Sequence, residues 1–285
     1  MLFVVPAACA IIALFGYPVV KNAVMGFQDY GLKTFFTGQA PFVGLSNYVE
    51  VVTDPVFSKA VVNTALFTLG SIIGQFVIGM LLALFFHKSF PLNGVLRALF
   101  LLPWLLPLIV SGSTWSWMLN SENGIVNSVL QAFGVGQINW LTSPGTALLS
   151  VTIANIWLGV PFNLVILYAG LQNIPAELYE AGALDGAGRW QQFRHITLPL
   201  LRPVSAIVLL LGLIYTLKVV DIVWIMTTGG PADASTTLAV WSYREAFGTG
   251  QPDFSPAAAV GNLLIVIALV AGLIHLRLQR KEDLG

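Results

Sequence analysis

Six apolar runs dominate this chain, at about residues 2–26, 60–86, 95–119, 146–170, 200–226 and 257–276. Each approaches the roughly 20 residues that a helix needs to cross the hydrocarbon core of a bilayer. Of the 285 residues, 56% are hydrophobic and 9% charged, against about 25% charged in soluble domains. The expected fold is therefore an all-α membrane protein with about six transmembrane helices. Formal net charge is zero, which offers no basic surface for nucleic acid. The one cysteine, Cys9, excludes an intramolecular disulfide and any multi-cysteine metal site. It lies in Pro6-Ala-Ala-Cys9 without a basic segment before it, and reads as a small residue inside the first span. That span has no charged front or defined cleavage site of a signal peptide. His87 and His195 are isolated and point to no metal role.

Pro18, Pro103, Pro107 and Pro161 interrupt several runs. Membrane helices tolerate prolines where neighbours satisfy the freed carbonyls. Gly70, Gly74 and Gly79 in the second run suit close helix approach. Orientation follows from the cations. Lys88, Arg97, Arg189, Arg194, Arg202, Arg277, Arg280 and Lys281 fall on one side, eight against the three (Lys33, Lys59, Arg244) on the other, where seven acids lie. The first side is expected in the cytoplasm, with both termini. Thus position 190 should be reachable from the cytoplasm and position 47 from outside. The three outward loops, near 27–59, 120–145 and 227–256, are long and rich in Gly, Pro, Asn and aromatics; such loops can cap a pore or meet an external partner.

Between the fourth and fifth runs sits a polar island, residues 177–198. Pro175 followed by Ala176-Glu177 opens a helix, proline suiting the first turn and an acid the positive dipole end. Gly186 and Gly188 permit a positive-φ turn or close backbone approach, and a second helix is expected from about Arg189 to Ile196. By physics alone this is a short helical element held between two spans at a membrane surface.

Its spacing says more. Glu180-Ala181, then Gly186, then Ile196 and Leu198-Pro199 resemble the EAA loop of permease subunits of ABC importers. Gly182 stands where that motif has alanine, a change that loosens a helix by up to about 1 kcal/mol. The resemblance implies that the island is a cytoplasmic coupling helix docking on a separate ATPase, with Glu180, Ala181, Gly182, Asp185, Gly186, Ile196, Leu198 and Pro199 as coupling residues. Phe42-Val-Gly-Leu-Ser-Asn-Tyr48 with Asn63-Thr64, Arg97 with Leu102-Pro103 and Trp115, Gly124-Ile-Val-Asn127, and Lys218, Asp221 and Thr228-Gly-Gly-Pro231 are similar to the carbohydrate branch of these permeases, the group of the larger maltose-system permease. The resemblance covers nearly the whole chain. It implies one transmembrane domain over 1–285 with a five-helix core over 60–276, in a bacterial or archaeal cell membrane. The implied partners are a homologous second permease, an ABC ATPase dimer, an extracytoplasmic solute-binding protein and a sugar. No phosphate-binding Gly-x-x-x-x-Gly-Lys-[Ser/Thr] loop is present, so no cofactor is expected on this chain; ATP and Mg belong to the ATPase. A permease for glycerophosphate-type compounds, an ion-coupled secondary transporter and a membrane scaffold are the competing readings.

Polar and aromatic groups inside the apolar runs nominate substrate contacts: Asn155, Trp157 and Asn163 in the fourth run, and Tyr215 in the fifth. Polarity in a bilayer is costly and turns toward a cavity or another helix. Asn155 and Asn163 lie about two turns apart and can share a face; Trp157 does not share it with Asn155. Lys218 and Asp221, three residues apart, are expected to form an intrahelical ion pair.

Overall fold

The computed structural model describes residues 5–248, 250 and 253–282. Among them the regular secondary structure is helical, joined by loops, with two isolated bridge pairs, Gln28 with Phe42 and Gly31 with Asp253. The first run forms Val5–Ile11, a π-helical turn Ile12–Gly16 and α1 (Tyr17–Met25). α2 (Ser46–Thr53) precedes α3 (Pro55–His87). α3 starts where Asp54 Oδ1 accepts from the Val56 N–H at 2.6 Å, with Pro55 in the first turn, a favourable N-terminus on both counts. Next come α4 (Leu108–Met118) and α5 (Ala147–Gln172), then the island helices α6 (Ala176–Leu184) and α7 (Arg189–Gln192). α8 (Leu198–Leu217), α9 (Asp221–Thr227), α10 (Leu238–Tyr243) and α11 (Phe254–Glu282) complete the chain.

Among the described residues, four helical stretches are long and apolar enough to cross a membrane: Pro55–His87, Ala147–Gln172, Arg189–Leu217 and Phe254–Arg277. They match the second, fourth, fifth and sixth runs. The first run gives a shorter apolar helix, Cys9–Met25. The third run is not one helix. It breaks into Asn93–Leu99, Leu102–Leu105 and α4. Leu106, before Pro107, is extended at ψ 140°, because the proline ring disfavours helical geometry in the preceding residue. Pro161, by contrast, sits inside an unbroken α5.

α5 packs along α3, and the α3 glycines permit it. A Cβ at Gly74 would lie 2.5 Å from Ile156 Cδ1, and one at Gly79 would lie 2.5 Å from Asn163 Cβ. Below this contact a buried cluster joins Met80, Ala83 and Phe86 of α3 to Leu164, Leu167 and Leu171 of α5 and Leu201 and Val208 of α8. A second cluster, with Phe67, Val151, Ala154, Ile222 and Val223, ties α9 to the other end of the α3–α5 pair. α1 and α2 are both held to α11 by the Asn262 amide: Asn22 Nδ2 donates to Asn262 Oδ1 at 2.9 Å, and Asn262 Nδ2 to Tyr48 Oη of α2 at 2.9 Å.

The fifth run also departs from expectation. α8 ends at Leu217 with Lys218 as its cap, and α9 restarts at Asp221. The helical register linking residues 218 and 221 is lost, and the expected ion pair does not form. Lys218 Nζ instead lies 5.1 Å from the Tyr215 ring centroid, while the ion pairs among the described residues both use Arg244.

Candidate functional site

The island folds as a helix, a tight turn and a second helix that runs directly into a spanning segment. α6 is capped at Asp185, after which Gly186 adopts φ +81°. The Ala187 N–H donates to Gly182 O at 2.8 Å and the Gly186 N–H to Ala183 O at 3.1 Å, the paired bonds of a Schellman turn. Such a turn needs a left-handed residue, which glycine supplies without a Cβ clash. Gln191 Oε1 accepts from the Gly188 N–H at 2.8 Å, opening α7. The helix then continues through a π-helical turn, Phe193–Thr197, into α8. Tyr179 and Thr197 hydroxyls pair at 2.9 Å, and Gln192 Nε2 donates to Tyr179 O at 3.3 Å, so the two arms are fixed to each other.

The outward face of this element is apolar at its tip. Leu184 is 90% exposed and Trp190 70% exposed, with Trp190 stacked on Phe193 at 5.5 Å. Glu180, Ala181, Asp185, Gly186 and Leu198 are exposed; Gly182, Ile196 and Pro199 are half-buried. The glycine at position 182 has a local reason: a Cβ there would meet Ile196 Cδ1 at 3.1 Å. Alanine would require that methyl to shift by a few tenths of an ångström.

At the opposite end of α3, two motifs far apart in sequence meet. Asn63 Nδ2 donates to the carbonyls of Asp233 and Thr236, each at 3.0 Å. Thr64 Oγ1 accepts from the Leu238 N–H at 2.9 Å, and Lys59 Nζ donates to Ala232 O at 2.7 Å. Within the Thr228–Thr237 loop, Thr236 Oγ1 donates to Gly229 O at 2.9 Å. Arg244 pairs with Asp233. Burial would raise the Asp233 pKa; the hydrogen bond and charge of Arg244, the Thr236 hydroxyl and Lys59 outweigh it, and the carboxyl is held below its ordinary value. A lowered folded pKa stabilises above the unfolded value, about 3.9, and that contribution is lost as pH falls through the folded pKa. Hydrogen exchange in residues 228–237 should accelerate as pH drops below about 4, relative to the intrinsic rate. In Asp233→Asn the excess acceleration should vanish, with the loop already looser at neutral pH. An unchanged acid profile in that variant would remove Asp233 as the cause.

Within the helical core, a cavity of 340 Å³ is lined by Gln75, Trp104, Leu108, Asn155, Phe162, Tyr215, Thr216, Val219 and Asp221, among others. Of the four nominated substrate residues, the structure brings Asn155 and Tyr215 to this wall and places the other two elsewhere. Trp157 lines a separate apolar crevice beside Pro103 and Trp115, its ring 6.0 Å from that of Trp115. Asn163 is buried against Gly79 and donates to its own helix at Gly159 O, 3.0 Å away. Gln75, Trp104 and Phe162 were not nominated from sequence. Gln75 carried a usable signal, as an amide in the middle of an apolar run. The two rings carried none, since aromatics in such runs pack against protein or lipid as readily as against a ligand.

Among the described residues, four membrane-length helices with a hairpin at one end and a clamped loop at the other define a multi-pass membrane protein. Residues 75–283 match the family described as "binding-protein-dependent transport system inner membrane component". The chain is 37% identical over 245 residues to the trehalose/maltose transport system permease protein of Thermococcus litoralis, covering 86% of this chain and 82% of that one. It is 32% identical to the diacetylchitobiose uptake system permease protein of Streptomyces coelicolor, covering 99% and 87%. The fold superposes on a chain of a bacterial alginate ABC transporter crystallised with its periplasmic protein, at a TM-score of 0.83 and 23% identity over 98% of this chain and 93% of that one. The chain belongs to this family: it is a transmembrane permease subunit of an ABC importer, a transport subunit and not an enzyme.

Proposed function

We propose that this permease works in an ATP-driven importer of a sugar, a di- or oligosaccharide, and that the 177–198 island is the cytoplasmic element through which ATP hydrolysis reaches the membrane helices. The observation that carries this reading is mechanical. The island is locked by its Schellman turn and the Tyr179–Thr197 bond, presents Leu184 at its tip, and is continuous with α8, whose Tyr215 and Thr216 line the cavity. A push on the hairpin is thereby delivered to the cavity wall. Glu180, Ala181, Gly182, Asp185, Gly186, Ile196, Leu198 and Pro199 form or frame the docking surface, with Glu180 making a charge-assisted contact to a basic ATPase residue.

On this reading six segments cross the membrane. The broken third run crosses as three short helices whose irregular backbone faces protein or the cavity, the one setting in which a bilayer tolerates it. Both termini lie in the cytoplasm, and residues 1–285 make one transmembrane domain with 60–276 as its core. A homologous second permease supplies the facing wall of the pathway, an ATPase dimer binds ATP and Mg below, and an extracytoplasmic binding protein delivers sugar above. The sugar assignment draws on the relatives named for trehalose/maltose and diacetylchitobiose transport and on the ring faces of Trp104, Phe162 and Tyr215 beside the Gln75 and Asn155 amides.

Two measurements test the reading together. The chain should copurify with an ATPase subunit, and the extract should hydrolyse ATP only with both present. On a Cys9→Ser background, Trp190→Cys should react with impermeant reagents only from the cytoplasmic side and Ser46→Cys only from outside. Position 47 is unsuitable because Asn47 is 8% exposed and its amide is bonded to Gly26 O and Gln28 O. The reverse labelling pattern would overturn the orientation and the ATPase contact with it.

A further inference from the structure

The wall of the 340 Å³ cavity has a hydrogen-bonding polarity of its own. Gln75 and Asn155 are each 6% exposed. Gln75 Nε2 donates to Asn155 O at 3.0 Å, and Asn155 Nδ2 donates to Ser71 Oγ at 2.9 Å. A carbonyl only accepts, so the Gln75 NH₂ is fixed on the protein side and its oxygen is left over. Among the described residues no hydrogen bond is made to Gln75 Oε1 or Asn155 Oδ1. The charged residue of the lining is Asp221; no lysine, arginine or histidine joins it. The neighbouring cation, Lys218, lies over the Tyr215 ring, with its Nζ 5.1 Å from the centroid.

We propose that this cavity selects uncharged, hydroxyl-rich ligands and rejects anionic ones, with Asp221 as the charge filter and Gln75 and Asn155 as the acceptors that read ligand hydroxyls. The inference rests on the cavity lying on the transport pathway. Separate sugar hydroxyls donate to the two free amide oxygens and to the carboxylate, and the sugar ring covers Tyr215 or Trp104. A phosphate or carboxylate group brings acceptors to a wall already supplied with acceptors, and places a like charge beside Asp221, a repulsion that falls with ionic strength because that carboxylate is exposed.

The test needs no knowledge of the natural ligand. Leu108 and Val219 line the cavity and carry no binding role. Each is replaced in turn by cysteine on the Cys9→Ser background in the assembled importer. Modification rates are measured with a cationic and an anionic methanethiosulfonate of similar size, each normalised to a free thiol in solution. The cationic reagent should be favoured by about five-fold or more, a modest local-potential effect. Asp221→Asn should bring the ratio near unity, while Asp221→Glu should preserve it and so exclude misfolding as the cause. A ratio near unity with Asp221 intact, or a bias that survives Asp221→Asn, overturns the filter. A bias toward the anionic reagent that Lys218→Gln abolishes assigns the local field to the lysine and overturns it equally. If neither cysteine reacts while ATP-driven uptake persists, the cavity is off the pathway and the proposal fails. None of these outcomes depends on copurification or on the topology labelling, so the filter can fail with the importer reading intact.

Discussion

Valine at Gly79 is expected to destabilise the permease by about 3 kcal/mol or more, the upper end of overpacking a filled core. Its first added carbon would lie 2.5 Å from Asn163 Cβ and 3.2 Å from the Leu164 backbone nitrogen. Neither is the movable end of a flexible side chain, so α3 and α5 must separate. The cost spreads to Met80, Leu164 and Leu167, which sit beside the contact in the same buried cluster. Thermal unfolding of the purified complex should shift down by several degrees. Gly94→Ala is the control, because a Cβ at Gly94 meets nothing within 4 Å. Equal unfolding midpoints for the two variants would mean that the α3–α5 contact is looser than the geometry describes.

Gly186→Val should leave the membrane helices folded and disable the hairpin. At φ +81° an L-residue meets a penalty of about 1–2 kcal/mol, larger for a β-branched side chain. Relief requires abandoning the bonds from Ala187 to Gly182 and from Gly186 to Ala183, which moves α6 relative to α7. Strain of that size weakens docking on a rigid partner by about tenfold or more. Uptake and ATPase stimulation should fall together while the unfolding midpoint of the membrane domain stays near wild type. Gly186→Asn should retain most activity, since asparagine tolerates the left-handed region best among the alternatives. Normal coupling in the valine variant would show that the turn does not set the docking geometry.

The sequence was most informative where one residue type answers one physical demand. Four of the six apolar runs form membrane-length helices, and Gly186, read as permitting a positive-φ turn, adopts one between Glu180 and Arg189. Its limits lay in which way a helix faces. α3 and α5 are hydrophobic nearly all round, so their pattern carries little directional information. Trp157 and Asn155 are two residues apart, yet one lines the apolar crevice and the other the cavity. Asn163 proved to be a buried intrahelical donor, because Gly79 brings α3 over it. The break at Leu106-Pro107 and the unbroken passage through Pro161 look alike in sequence. Tertiary packing decides between them, as it does at Lys218, where α8 stops within what reads as one continuous apolar run.

If the 177–198 hairpin meets the ATPase, Leu184 at its exposed tip is the side chain that touches it. A photo-crosslinking amino acid at position 184 in the assembled, membrane-embedded importer reports directly what that side chain touches. The expected product is a crosslink to the ATPase subunit, diminished when Glu180→Lys is added to weaken docking. Crosslinks to lipid or to the extracytoplasmic binding protein, with none to the ATPase, would contradict it.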